Sequence, residues 1–228
     1  MLQVLSGRLG FAQHPLQGPV SPIVVRFSTP PVRVSQRHDP LKQDRVRNER
    51  MITVAEIAPL RGQQIDYSET ERLKAKFARL RAERERLYLT TAEFQEILQW
   101  KFGERMGELE DIYAVNPDEI IRAITELAFA ITHPDIDYEL EIRMGILCSL
   151  RGVTVPVASA LLALVFPEKY AVIDFRVWRQ IFDEEQWAFS ISDYLRYVRE
   201  IRYLAEESGW PVQEVDHAIW EYDRRMSE

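Results

Sequence analysis

From position 68 onward, apolar side chains recur at helical spacing and polar residues punctuate them. Leu73, Phe77, Leu80 and Leu87 form a narrow stripe over 68–88, behind a Ser68 and Glu71 pair with the spacing of a capping box. Thr90 and Glu93 repeat that signature and open a helix through about Met106. Asn116-Pro117-Asp118-Glu119 opens the next, with a cap, a proline in the first turn and acids at the positive dipole end. That helix stops near Ile131, before Thr132-His133-Pro134-Asp135. Further helices are predicted over 137–150, 156–165, 175–182, 192–208 and 212–225. Tyr170-Ala171-Val172-Ile173 is the only β-like run, so the pattern predicts an all-α protein.

The first fifty residues keep neither a 3.6 nor a 2.0 period for more than a few positions. Six of the twelve prolines lie there, and no acidic residue precedes Asp39. The expectation is a loosely ordered basic arm, followed by a linker and basic amphipathic helix over 51–89 and a helical domain over 90–228. Three readings of the arm stay open: a segment that follows DNA phosphates, a transit peptide, or sequence upstream of a start at Met51. The prolines argue against the amphipathic helix that a transit peptide needs.

Composition narrows the chemistry. With 228 residues, 46% of them apolar, the chain can bury a sizeable core. Its single cysteine, Cys148, excludes a disulfide framework, a four-cysteine zinc site and a cysteine-ligated iron–sulfur cluster, and it suits a reducing, intracellular setting. No run of eighteen apolar residues exists, so no membrane partner is expected. The net charge of −7 divides unevenly. Residues 1–91 hold 16 Lys and Arg against 9 Asp and Glu, whereas 92–228 hold 13 against 27. A nucleic-acid protein usually presents a positive face, so DNA binding by the acidic part needs another source of attraction.

Such a source is suggested at Leu150-Arg151-Gly152-Val153-Thr154-Val155-Pro156-Val157-Ala158. One helix ends, a glycine permits a left-handed turn, and a second helix begins at once. The turn and the new N-terminus leave backbone N–H groups of Arg151, Gly152, Val153, Thr154 and Val155 for phosphate oxygens, without any lysine. This stretch resembles the hairpin of the helix-hairpin-helix DNA glycosylase superfamily, through Leu150, Gly152, Val153 and Ala158. The family's essential aspartate follows the first hairpin glycine by about twenty-two residues, and Asp174 stands there within Ile173-Asp174-Phe175-Arg176. Two departures matter. Thr154 replaces the second hairpin glycine, and Pro156 replaces the imine-forming lysine of the lyase members.

The resemblance implies two helical lobes with a cleft, and a monofunctional DNA N-glycosylase that removes a damaged base from duplex DNA. It also implies a monovalent cation on the backbone carbonyls of Cys148, Leu150 and Val153. A carboxylate suits this reaction because cleavage of the bond between sugar and base builds positive charge on the sugar. Asp174 has a second reading as the N-cap of the next helix. Lys101 is the other candidate: at 100° per residue it falls in the middle of the apolar face made by Phe94, Ile97, Leu98 and Phe102, where a lysine must snorkel, pair or line a pocket. Trp100, Tyr170, Trp178 and Arg176 are candidates to hold an extruded base. His133-Pro134-Asp135-Ile136-Asp137 lacks metal-ligand spacing and reads as a loop. The alternative class is a non-catalytic DNA- or protein-binding module in which Asp174 only caps.

Overall fold

A computed structural model describes residues 52–63 and 67–228 of the chain, so the expectation for the first fifty residues lies outside the described part. The described residues form α1 (Val54–Ile57), α2 (Tyr67–Glu83), α3 (Thr91–Phe102), α4 (Met106–Ala114), α5 (Asp118–Ala130) and α6 (Ile136–Leu147). They continue with α7 (Val155–Val165), α8 (Phe175–Phe182), α9 (Ile191–Ser208) and α10 (Val212–Met226), and contain no strand. The described residues are all-α, as the pattern predicts. None of the described helices is long and apolar enough to cross a membrane.

The most apolar helix sits in the middle. Every residue of α7 except Pro156 is buried, as expected of a helix that is hydrophobic all round, and α2, α3 and α6 pack against it. Its small residues Ala158, Ser159 and Ala160 are fully buried and let neighbours approach. A second group is built on α10, which packs against α1, α8 and α9, while α6 also contacts α9. Between α7 and α8 the run at 170–173 is extended but pairs with no strand. Instead Val172 N–H donates to Asp216 (2.9 Å) and Ile173 N–H to Ser159 Oγ (3.1 Å), so side chains take the place of a ladder.

Three local expectations need correction. The helix expected over 68–88 already includes Tyr67, so Ser68 lies inside α2 and Glu71 pairs with Lys74 rather than closing a capping box. The helix opened by Thr90, with its capping box intact, breaks at Gly103 (φ +56°), and a separate α4 follows. Asn116 is not a cap, because Pro117 takes the N-cap position of α5. It is buried and reaches 35 residues along the chain to the turn before α7.

The basic face of α2 is also resolved. All seven Lys and Arg between Ser68 and Tyr88 have a carboxylate within salt-bridge reach, among them Lys76 with Glu96, Arg81 with Glu168 and Arg84 with Glu93. This is a solvated, internally neutralised surface, worth little individually to stability.

Candidate functional site

A cavity of about 160 Å³ opens where α3, the start of α8 and α10 come together. From α3 come Trp100 and Lys101, and from the extended run and α8 come Val172, Asp174 and Val177. The C-terminal helix adds Gln213, Asp216, His217 and Trp220 at i, i+3, i+4 and i+7 spacing, which puts them on one face of α10. Lys101 thus leaves the apolar face of α3 toward a pocket instead of snorkelling outward.

Asp174 has a double position. Its Oδ1 accepts the Arg176 N–H (2.8 Å) as the N-cap of α8, and its side chain lines the cavity at the same time. Trp100 is fixed by a hydrogen bond from its Nε1 to Thr70 Oγ1 (2.9 Å). Lys101 is desolvated, which pulls its ammonium below the ordinary lysine range, while the negative charges of Asp174 and Asp216 pull it back up. It feels these carboxylates through space without closing an ion pair among the described residues.

Asp216 is the most deeply perturbed acid of the site. Burial raises its carboxyl to about 6, against the lowering effects of the Tyr197 hydroxyl, the Val172 N–H and His217. Tyr197 itself is fully buried, and its hydroxyl lies in hydrogen-bond reach of both Asp216 Oδ1 and the Val172 carbonyl. The phenol is pushed well above its ordinary value by burial and by the neighbouring Asp216. Two carboxyl groups in different environments therefore face one cavity: Asp174 on a helix N-terminus, Asp216 in a dry wall.

No family model, curated protein or solved structure matches the chain.

The turn between α6 and α7 has the expected left-handed glycine, at Gly152 (φ +82°). A Cβ there would stand 2.6 Å from Ile112 Cγ2 and 3.1 Å from Tyr113 Cε1, so α4 demands glycine as well. Thr154 is extended (φ −89°, ψ 171°) and precedes the first turn of α7. Although Thr154 stands where the family's hairpin has a glycine, no strain attaches to its Cβ in this conformation. Of the five expected phosphate donors, two are committed within the protein. Arg151 N–H donates to Asn116 Oδ1 (2.9 Å), and Val153 N–H donates to the Leu150 carbonyl (3.1 Å). Asn116 Nδ2 returns a bond to the Arg151 carbonyl (2.9 Å), which clamps the turn from both sides. Of the three carbonyls named for a cation, that of Leu150 is the one already engaged, as the acceptor of the Val153 N–H.

Two of the aromatic candidates belong elsewhere. Trp178 is fully buried and packs on Phe182 and Phe189, with Arg196 over its ring. One helical turn beyond Asp174 points into the core of α8, not toward the cavity. Tyr170 is also buried, with its ring near Arg143 and Arg202 and its hydroxyl 3.4 Å from Glu139. Arg176 turns to Asp223 (3.0 Å) and its guanidinium lies 5.8 Å from the Trp220 ring, behind the pocket wall. In their place stand Gln213, Asp216, His217 and Trp220, which a reading of α10 as plain packing misses. Polar residues at i, i+3 and i+4 on the core-facing side of an amphipathic helix were the available signal.

Proposed function

We propose that the protein is a monofunctional, helix-hairpin-helix-like DNA N-glycosylase, with two helical lobes flanking the cavity and a hairpin at Gly152 that holds duplex DNA. The observation that carries this reading is the meeting of Asp174 and Lys101, distant in sequence, in one ring-sized cavity lined by two indoles. Phosphate would be gripped by the N–H groups of Gly152, Thr154 and Val155 at the start of α7. The target base is extruded into the cavity, where Trp100 and Trp220 offer aromatic faces. Asp174 stabilises the positive charge that develops on the sugar as the base departs, and orients the attacking water. Lys101 places an ammonium where it can offset negative charge arising on the leaving base. With proline at position 156, no amine is available in the hairpin for lyase chemistry.

The variant Asp174→Asn isolates the charge, since asparagine caps helices as well as aspartate does. Duplexes carrying alkylated, oxidised or deaminated bases should lose one class of base with the wild type, and at least a hundredfold more slowly with the variant. Equal rates for the two proteins would remove Asp174 from the mechanism and leave a binding module whose aspartate only caps.

A further inference from the structure

The cavity between α3, α8 and α10 holds an amine that the fold leaves unused. Among the described residues the Lys101 Nζ makes no hydrogen bond and closes no ion pair. It is not sealed off either: Lys101 is half-buried, lines the cavity and keeps its nitrogen open to solvent. The other described lysines differ. Lys74 and Lys76 are held by Glu71 (2.6 Å) and Glu96 (2.7 Å), and Lys169 is exposed outside this cavity. A desolvated ammonium without a partner gives the fold nothing in return, so what the amine meets inside the cavity decides its use.

Charge and walls restrict that ligand. Asp174 and Asp216 oppose an anion and Lys101 opposes a cation, so the cavity favours a neutral molecule. Trp100, Trp220, Val172 and Val177 offer aromatic and apolar surface, with Trp100 fixed by its bond to Thr70 (2.9 Å). Burial enlarges the share of neutral amine, against the pull of both carboxylates. A neutral amine carries a lone pair, and lysines desolvated in apolar pockets form imines with carbonyl compounds. A cavity of about 150 Å³ is large enough for benzene, so about 160 Å³ admits a carbonyl group on a body no larger than one small ring.

We propose that Lys101 is a covalent nucleophile that forms an imine with a neutral aldehyde held in this cavity. The Nζ lone pair bonds to the carbonyl carbon while the C=O pair moves to oxygen, and one proton passes from nitrogen to that oxygen. The hydroxyl then leaves as water with a proton from solvent, and the nitrogen lone pair closes the protonated imine. Nothing is oxidised or reduced. Two sources supply such an aldehyde: a free small molecule, or the ring-opened deoxyribose that remains in DNA after a base has left. This chemistry goes beyond base release, which uses water and Asp174, and does not depend on it.

Treating the full chain with benzaldehyde and cyanoborohydride at neutral pH turns any imine into a stable benzylamine, which peptide mass mapping locates. Lys101 should be modified about tenfold faster or more than exposed Lys169, as a more nucleophilic amine. Lys101→Met should lose the fast reaction and keep the slow one. A rate at Lys101 equal to or below that at Lys169 overturns the proposal, and this comparison needs no variant. A duplex with a preformed abasic site, reduced with borohydride, separates the sources. A covalent complex at Lys101 assigns the sugar aldehyde, and benzaldehyde capture without that complex assigns a free one. Capture of neither aldehyde, alongside release of a base from duplex DNA, removes Lys101 as a nucleophile and leaves base excision standing. Benzaldehyde capture without release of any base does the reverse.

Discussion

At the scale of single residues, Lys101 separates a functional from a structural role most sharply. A desolvated ammonium without an ion pair works against folding, because burial penalises the charged form. Replacing it with methionine, of similar length and apolar, should leave the thermal midpoint unchanged or raise it, while base release falls by at least tenfold. A lower midpoint with unchanged release would make Lys101 a packing residue. The lysine is legible in the sequence, since its angle on α3 falls among Phe94, Ile97 and Leu98, all of which are buried. Trp178 shows the opposite case. Its sequence neighbourhood suggests the pocket, but one turn along α8 rotates it into the core, and only three-dimensional packing decides which side of a short helix faces a cavity.

Among the elements, α10 joins stability to the site. It carries two buried aspartates seven residues apart on the same face, with opposite electrostatics. Burial alone would raise the carboxyl of Asp223, but Arg179, Gln180 and Arg176 outweigh it and hold it below the ordinary range. Those bonds tie α8 to α10 and orient the helix that Asp174 caps. Asp216 is raised to about 6. In the folded protein it holds a proton over a range where the unfolded chain has released it, from about pH 4. Its contribution to stability is thus full below about pH 4 and is lost as pH rises toward 6. Two pH units correspond to about 3 kcal/mol. Asp216→Asn should therefore gain thermal midpoint relative to the wild type between pH 4 and pH 7, measured in parallel unfolding curves. A difference between the two proteins that does not change with pH would show that Asp216 stays in one protonation state.

For the whole molecule, charge bears on the proposed grip on DNA, which should be weak and centred on the hairpin. Residues 92–228 are strongly acidic, and every basic side chain between Ser68 and Tyr88 is matched to a carboxylate. Few phosphates are then neutralised, so log affinity for a duplex should fall with log salt at a slope of magnitude below about 3. A slope of about 6 or more, measured by anisotropy between 50 and 200 mM salt, would move the affinity onto lysines and arginines. The sequence by itself determined most of the helices, though not α1 or α4, and many of their ends, because periodicity, caps and glycines act over a few residues. It also placed Gly152, Asp174 and Lys101 as the chemically marked positions. Tertiary structure alone decided what meets them. Asn116 clamps the hairpin turn from the end of α4, and Gln213, Asp216 and Trp220 complete the cavity from the last helix. These partners lie tens of residues away, and local periodicity carries no information about which buried polar groups will find each other across a core.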